Sequence, residues 1–130
     1  MNWEIENHLA RSHRPGRWHS GRITKEIIDD WIIEAKSMGI LSIICLLEDE
    51  QLGLYKALPY GLLSYYEDNG FNVVSIPIID HKYPPISEQE ALEIFEAYLQ
   101  LPKPVLIHCS AGQSRTGEAV FYIKHKLSEY

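Results

Sequence analysis

Residues 108–117 constrain the fold of this chain more than any other segment. They read HCSAGQSRTG and come directly after the apolar stretch 104–107. An apolar run, a short glycine-containing loop and a helix-forming segment predict, in this order, a strand, a tight loop and a helix. Five residues separate Cys109 from Arg115, and this spacing closes a loop in which backbone N–H groups, the sulfur and the guanidinium point to one centre. Such a loop suits a phosphate monoester dianion.

Cys109 is the predicted nucleophile of this loop, and Arg115 is its predicted catalytic partner. Only a thiolate attacks, and a free cysteine thiol is mostly protonated at neutral pH. Inward N–H groups, the positive end of a helix beginning near Ser114 and the charge of Arg115 all favour the anion. The planar guanidinium also binds two phosphoryl oxygens at once. The predicted substrate-binding residues are Ser110, Ala111, Gly112, Gln113, Ser114, Arg115 and Thr116.

Three residues of the segment are expected to shape the loop. Gly112 lets the chain turn with its N–H inward, Thr116 adds a hydroxyl donor to the sulfur, and His108 orients the loop rather than moving protons. Short spacings between a cysteine and an arginine also arise by chance. The prediction therefore depends on the apolar stretch before the loop, on Gly112 within it and on a carboxylate elsewhere in the chain.

That carboxylate is Asp80, the predicted general acid. It ends the apolar run 73–79 and is followed by Pro84-Pro85, which forces an extended turn. Ligand sites in open parallel sheets lie at the carboxyl ends of strands. If this strand neighbours the one that ends at Cys109, both groups reach a common substrate. The alternative is a turn aspartate that caps its own backbone.

The stretch from His108 to Thr116 resembles the signature of the cysteine-dependent protein phosphatases, in particular the small dual-specificity and archaeal tyrosine phosphatases. The resemblance covers residues 43–127, and more loosely 10–17. In that family an aspartate on a mobile upstream loop protonates the leaving group, and residues 75–85, with Asp80, stand in the matching place. The resemblance implies a protein-tyrosine-phosphatase-like α/β fold, in which a central, mostly parallel sheet is flanked by helices.

Two features depart from that family. Fifteen residues follow Arg115, where relatives usually continue with further helices that cover the sheet. A short C-terminus is therefore expected, with the sheet face bare or covered by the N-terminal segment or a second subunit. Glu118 stands where a small or apolar residue is common, so it is expected to face a partner or solvent.

The resemblance implies metal-independent hydrolysis of phosphate monoesters through a cysteinyl-phosphate, with no cofactor. The side chains inside the loop are neutral, which favours phosphotyrosine, and also phosphoserine and phosphothreonine, over polyanionic inositol phosphates. The expected partner is a phosphorylated protein substrate. A rhodanese-like sulfurtransferase and a catalytically silent phosphate-binding module are the alternatives, although neither requires Asp80.

Composition narrows the classes of partner and location. The 130 residues suit a single domain, 1–130. A net charge of −6 argues against nucleic acid, and no apolar run approaches the length that spans a bilayer. One reactive thiol fits a cytoplasmic protein, and the scattered histidines predict no metal site. A monomer or weak homodimer is expected.

Residues 1–22 are predicted to be a basic N-terminal loop that guides anions or is simply solvated; its arginines are Arg11, Arg14, Arg17 and Arg22.

The remaining pattern predicts alternating helices and strands. Thr24 is the expected N-cap of a helix that runs to Met38. Ser87 and Glu90 form an expected capping box. The predicted strands are 40–47, 72–78 and 105–108, and the other predicted helices are 59–68, 88–101 and 115–127. Cys45 is expected to be buried in the strand 40–47, and Glu48 in an acidic loop near the site.

Overall fold

After two N-terminal strands, helices and strands alternate along the chain as the sequence pattern predicts, except that two helices follow one another between the third and fourth strands. The computed structural model describes residues 1–129, so the last residue of the predicted domain, Tyr130, lies outside the described residues. The elements are β1 (Asn2–Ile5), β2 (Leu9–Ser12), α1 (Lys25–Ser37), β3 (Ser42–Cys45), α2 (Asp49–Leu52), α3 (Gly61–Asp68), β4 (Asn72–Ser75), α4 (Glu88–Gln100), β5 (Val105–His108) and α5 (Ser114–Leu127).

The five strands form one sheet in the order β1-β2-β5-β3-β4. Strand β1 is antiparallel to β2, and every other neighbouring pair is parallel. In the register of the sheet, His108 at the end of β5 pairs with Ser12 of β2 and with Cys45 of β3. The carboxyl ends of the parallel strands therefore meet at one edge, which confirms the predicted fold class and places the segment 109–113 at that edge.

Helices cover both faces of the sheet. The residues of β3 and β5 are all buried, and their side chains alternate between two apolar layers. One layer contains Ile44, Ile107 and Cys109 and packs against α4 and α5. The other contains Ile43, Cys45 and Leu106 and packs against α1 and α3. Cys45 is thus buried in a central strand, as predicted.

The predicted helix caps are present. The Thr24 hydroxyl accepts a hydrogen bond from the N–H of Ile27 at 3.3 Å, which satisfies one unpaired donor of α1. Ser87 and Glu90 make the reciprocal bonds of a capping box at the start of α4. The caps fix the residues at which α1 and α4 begin.

The prediction that residues 1–22 form a loop is wrong for the first half of that segment. Strands β1 and β2 form a hairpin there, and β2 pairs with β5 along its whole length. Leu9 and Ala10 are completely buried, and their burial against the central strand outweighs the loop character of the nearby Arg, Ser and Gly residues. Arg11 consequently lies on a strand, whereas Arg14 follows the end of β2.

Three further boundaries differ from the prediction. The acidic stretch after β3 opens the short helix α2, because Glu48 and Gln51 form a capping box. The strands β3 and β4 are shorter than the apolar runs that predicted them, since the chain leaves the sheet at Cys45 and Ser75. After β3 the loop residues Leu46 and Leu47 are buried, whereas after β4 Ile78 is buried and Ile79 is exposed. Among residues 1–129, no helix is long and apolar enough to cross a membrane.

Candidate active site

The loop between β5 and α5 passes very close to the end of β2. Cys109 leaves β5 and is 2% exposed. Three residues later, Gly112 has φ +74°, a left-handed conformation that favours glycine. A Cβ atom at Gly112 would lie 2.5 Å from the carbonyl oxygen of Ser12. The glycine therefore serves both the turn, as predicted, and the close approach of two backbones.

Several carbonyls of this loop are held by groups outside it. In a trans peptide the C=O of one residue and the N–H of the next point in opposite directions. The N–H of Arg14 donates to the carbonyl of Ser110 at 2.9 Å, and the side chain of His108 contacts the carbonyl of Cys109 at 3.1 Å. Because these carbonyls are fixed on the outside, the N–H groups of Ser110 and Ala111 are directed to the opposite side.

His108 is a fixed neutral imidazole. It is completely buried, and burial lowers its pKa to about 4. His108 Nδ1 lies 3.1 Å from the carbonyl oxygen of Cys109, which can only accept, so Nε2 is the ring nitrogen without a proton and accepts from the Tyr66 hydroxyl at 2.9 Å. Burial raises the pKa of Tyr66 well above its usual range, so that hydroxyl keeps its proton. His108 Nδ1 carries the ring proton and donates it to the carbonyl of Cys109. His108 orients the loop, as its position in the sequence predicts.

The Arg115 guanidinium is buried and fixed along one edge. Its Nη1 donates to the carbonyls of Leu46 and Ile78 at 3.3 and 2.9 Å, and to Gln51 Oε1 at 3.1 Å. Among residues 1–129, Arg115 Nε has no hydrogen-bond partner although it is buried. Unpaired buried donors are rare in folded proteins. The edge formed by Nε and Nη2 is therefore the one suited to a bidentate oxyanion.

Asp80 lies at the other end of that edge. Its Oδ2 atom is 3.1 Å from Arg115 Nη2 and accepts a hydrogen bond from Gln51 Nε2 at 3.0 Å. Its Oδ1 atom accepts the N–H of His81 at 2.9 Å, which is the local turn contact of the alternative interpretation. The two contacts coexist, because the turn bond uses one carboxyl oxygen and the arginine uses the other.

Most of the predicted site residues line one open cavity of about 620 Å³, at the edge where the parallel strands end. Asp80 and Arg115 are on its wall, together with Arg14, Lys82 and Tyr83. The loop residues on the wall are Cys109, Ser110, Ala111, Gln113 and Ser114.

Two of the predicted binding residues are outside this wall. Gly112 lies against the backbone of Ser12. The Thr116 hydroxyl is buried in the first turn of α5 and has no hydrogen-bond partner among residues 1–129. The predicted bond from Thr116 to the sulfur of Cys109 is therefore not made in this structure.

Gln51 is a site residue that sequence reasoning missed. It joins Arg115 to Asp80 through its two amide atoms, while Glu48 accepts the N–H of Asp80 at 2.6 Å. The only signal in the sequence is the spacing of the capping box, Glu48 to Gln51. Among residues 1–129, no three His, Cys, Asp or Glu side chains are grouped so that they could hold a metal ion.

A cysteine, an arginine and a ring of backbone N–H groups between a strand and a helix, on a mostly parallel sheet, define the cysteine-dependent phosphatases of the protein-tyrosine-phosphatase-like superfamily. The sequence matches the model of the family Tc-R-P, described as "Polymorphic toxin system, DSP-PTPase phosphatase", over residues 21–125. Because the match spans most of the chain, the protein belongs to this family of phosphatases. None of the curated proteins matches significantly.

Solved structures of phosphatases share the fold. A mutant form of Tk-PTP is 27% identical, with a TM-score of 0.64 over 95% of this chain and 71% of its own. A putative phosphatase (DUF442) from Shewanella putrefaciens CN-32 is 19% identical, with a TM-score of 0.69 over 99% of this chain and 69% of its own. The catalytic core of the PP-IP phosphatase SIW14 from S. cerevisiae is 19% identical, with a TM-score of 0.61 over 98% and 66%.

Proposed function

We propose that the protein hydrolyses phosphate monoesters without a metal ion, through a covalent cysteinyl-phosphate. One observation carries the proposal: a single cavity is lined by Cys109, Arg115 and Asp80, and the edge of Arg115 formed by Nε and Nη2 has its Nη2 on Asp80 and its Nε unpaired among residues 1–129. The two steps of the reaction follow from the places of these three groups. The substrate-binding residues predicted from the sequence would hold the phosphate mainly through their backbone N–H groups.

In the first step the thiolate of Cys109 attacks phosphorus, so that an S–P bond forms as the bond to the leaving oxygen breaks. The phosphate occupies Nε and Nη2 of Arg115 and takes over the contact that Asp80 makes in this structure. Asp80, protonated, then gives its proton to the leaving oxygen. The N–H groups of the loop and Arg115 hold the equatorial oxygens as their charge redistributes.

In the second step water breaks the S–P bond. Asp80, now a carboxylate, takes a proton from the water, and inorganic phosphate and the thiolate of Cys109 are the products. Gln51 holds Asp80 to Arg115 and Glu48 holds its backbone N–H. We propose that these contacts keep the carboxyl group over the cavity through both steps.

We propose phosphotyrosine, together with phosphoserine and phosphothreonine, in proteins as the substrates. The loop side chains Ser110, Ala111, Gln113 and Ser114 carry no charge, so the loop itself offers no cation for a second phosphate on a compact polyphosphate. The ring of Tyr83 is 97% exposed at the rim of the cavity and offers a surface for an aromatic side chain. A reducing compartment such as the cytoplasm would keep Cys109 reduced.

Turnover in a chelator tests the proposal. We expect the protein to hydrolyse p-nitrophenyl phosphate and a phosphotyrosine peptide at the same rate with and without EDTA, because no step uses a metal ion. Phosphate release is measured directly. Sulfur transfer from thiosulfate to cyanide would identify a sulfurtransferase instead, and phosphate binding without turnover would identify a silent binding module.

The role of Asp80 makes a separate prediction. Asp80→Ala should lower kcat on a phosphoserine peptide by roughly 10²–10⁴-fold, the usual contribution of a positioned acid. It should lower kcat on p-nitrophenyl phosphate far less, because nitrophenolate leaves without a proton. The ratio of the two kcat values is the measurement. Equal losses on both substrates would show that Asp80 is not the general acid. Its role would then be structural, through the turn contact with the N–H of His81.

A further inference from the structure

One arginine from the N-terminal hairpin reaches the phosphate-binding loop. Arg11 lies on β2, whose carboxyl end is beside that of β5. Its Nη2 atom donates to the carbonyl of Gly112 at 2.7 Å and to the carbonyl of Gln113 at 3.3 Å. Its Nε atom donates to the carbonyl of Gly112 at 3.2 Å. The guanidinium thus holds two successive carbonyls of the loop.

These contacts decide where the N–H group of Gln113 points. Since a trans peptide sets C=O and N–H in opposite directions, a carbonyl of Gly112 that is held by Arg11 directs the N–H of Gln113 away from Arg11. The carbonyl of Gln113 accepts the N–H of Gly117 at 2.6 Å, so the start of α5 itself directs the N–H of Ser114 away from the helix, and Arg11 adds only a longer contact to that carbonyl. Both Gln113 and Ser114 line the cavity that holds Cys109.

Arg11 is itself held in place by Glu4. The Glu4 carboxylate accepts from Arg11 Nη1 at 3.2 Å and from Lys124 of α5 at 3.3 Å. Burial acts to raise the pKa of Glu4, but the hydrogen bonds from Arg11 and Lys124 outweigh it and hold the pKa below its ordinary value. Glu4 is therefore an anion at neutral pH. Glu4 thereby fixes Nη1 of Arg11, while Nε and Nη2 of the same guanidinium contact the loop.

We infer that Arg11 is a positioning residue of the active site, which keeps the N–H group of Gln113 directed at the substrate phosphate. It does not touch the phosphate. Without it, the peptide between Gly112 and Gln113 can rotate and present its carbonyl to an anion. The inference rests on the proposed phosphatase function. It gives the hairpin of β1 and β2 a part in the reaction, although that hairpin lies outside residues 21–125, the region that matches the family.

Three variants test the inference on the whole chain. Arg11→Met should lower kcat/KM for p-nitrophenyl phosphate by about a hundredfold, the scale of a misplaced or missing oxyanion donor. It should raise the inhibition constant of inorganic phosphate by about tenfold. Arg11→Lys retains one donor nitrogen and the positive charge, and should recover part of both losses. Lys25→Met removes an exposed 3.2 Å ion pair with Asp29 within α1, outside the residues that line the cavity, and should change neither value.

The outcomes separate this inference from the function on which it rests. If wild-type protein neither turns over p-nitrophenyl phosphate nor binds phosphate, both fail. If wild-type protein is active and Arg11→Met binds phosphate as tightly as Lys25→Met does, the function stands and the positioning role is wrong. If Arg11→Met does not fold, Arg11→Lys decides: wild-type values of kcat/KM and phosphate inhibition in that variant would overturn the inference, because one ammonium nitrogen cannot replace all three guanidinium nitrogens that contact Gly112, Gln113 and Glu4.

Discussion

Turnover should fall by roughly 10⁴-fold or more when Cys109 is replaced by serine, a loss of the size that removal of a catalytic nucleophile causes in other hydrolases. A serine hydroxyl fits the same space but is protonated at neutral pH, so attack on phosphorus becomes very slow. Arg115 and the loop N–H groups are unchanged, and Cys109→Ser should therefore still bind inorganic phosphate. The measurements are kcat on p-nitrophenyl phosphate and the phosphate dissociation constant. The two together distinguish a lost nucleophile from a lost site.

The second cysteine provides the control for this experiment. Burial raises the pKa of Cys45 to about 12, so its thiol is not reactive at neutral pH in the folded protein. Iodoacetamide should label wild-type protein once, at Cys109, and phosphate should slow the labelling. Cys45→Ala should keep its turnover and its labelling. Labelling of Cys109→Ser at the wild-type rate, or turnover retained by that variant, would mean that another group is the nucleophile.

The parts of the site that can be predicted from the sequence are those in which neighbouring residues act together. Cys109 and Arg115 belong to one continuous strand, loop and helix, so their spacing, together with the apolar stretch before the loop and Gly112 within it, predicts that they share a site, and both line the same cavity. Asp80 is predicted because strand ends meet at one edge of a parallel sheet, and it lies 3.1 Å from Arg115. Its catalytic role, like those of the loop residues, stays a prediction.

The contacts that could not be predicted join residues far apart in the sequence. Arg11 and Gly112 are separated by 101 positions, and Gln51 and Arg115 by 64. The strand β2 is only four residues long, too short for a periodic pattern, and it forms because β5 offers it a hydrogen-bonding edge. The strand propensities of residues 9–12 do not indicate that β5 offers them an unpaired hydrogen-bonding edge. The sequence pattern therefore predicts a loop where the hairpin lies, and it does not predict the contact of Arg11 with Gly112 or that of Gln51 with Arg115.

The largest effect of a single methyl group is expected at Gly112. In Gly112→Ala the new Cβ would lie 2.5 Å from the carbonyl oxygen of Ser12. Ser12 is backbone in a strand paired to β5, so it cannot yield, and the loop must move outward instead. A shift of that size removes N–H groups from the phosphate. We expect kcat/KM to fall by roughly 10²–10³-fold, the loss that follows removal of an oxyanion donor, while Cys109 and Arg115 remain in place.

A second glycine separates this steric effect from the cost of the backbone conformation. Gly39 has φ +81°, close to the +74° of Gly112, but no atom lies within 4 Å of the position of its Cβ. Gly39→Ala should therefore lose only the stability that a left-handed residue costs, about 1–2 kcal/mol, and keep its activity. Urea unfolding and kcat/KM of the two variants are compared side by side. Equal activity in both would show that the contact between Gly112 and Ser12 does not hold the loop in its catalytic form, and that the N–H groups are positioned by Arg11, Arg14 and His108 without it.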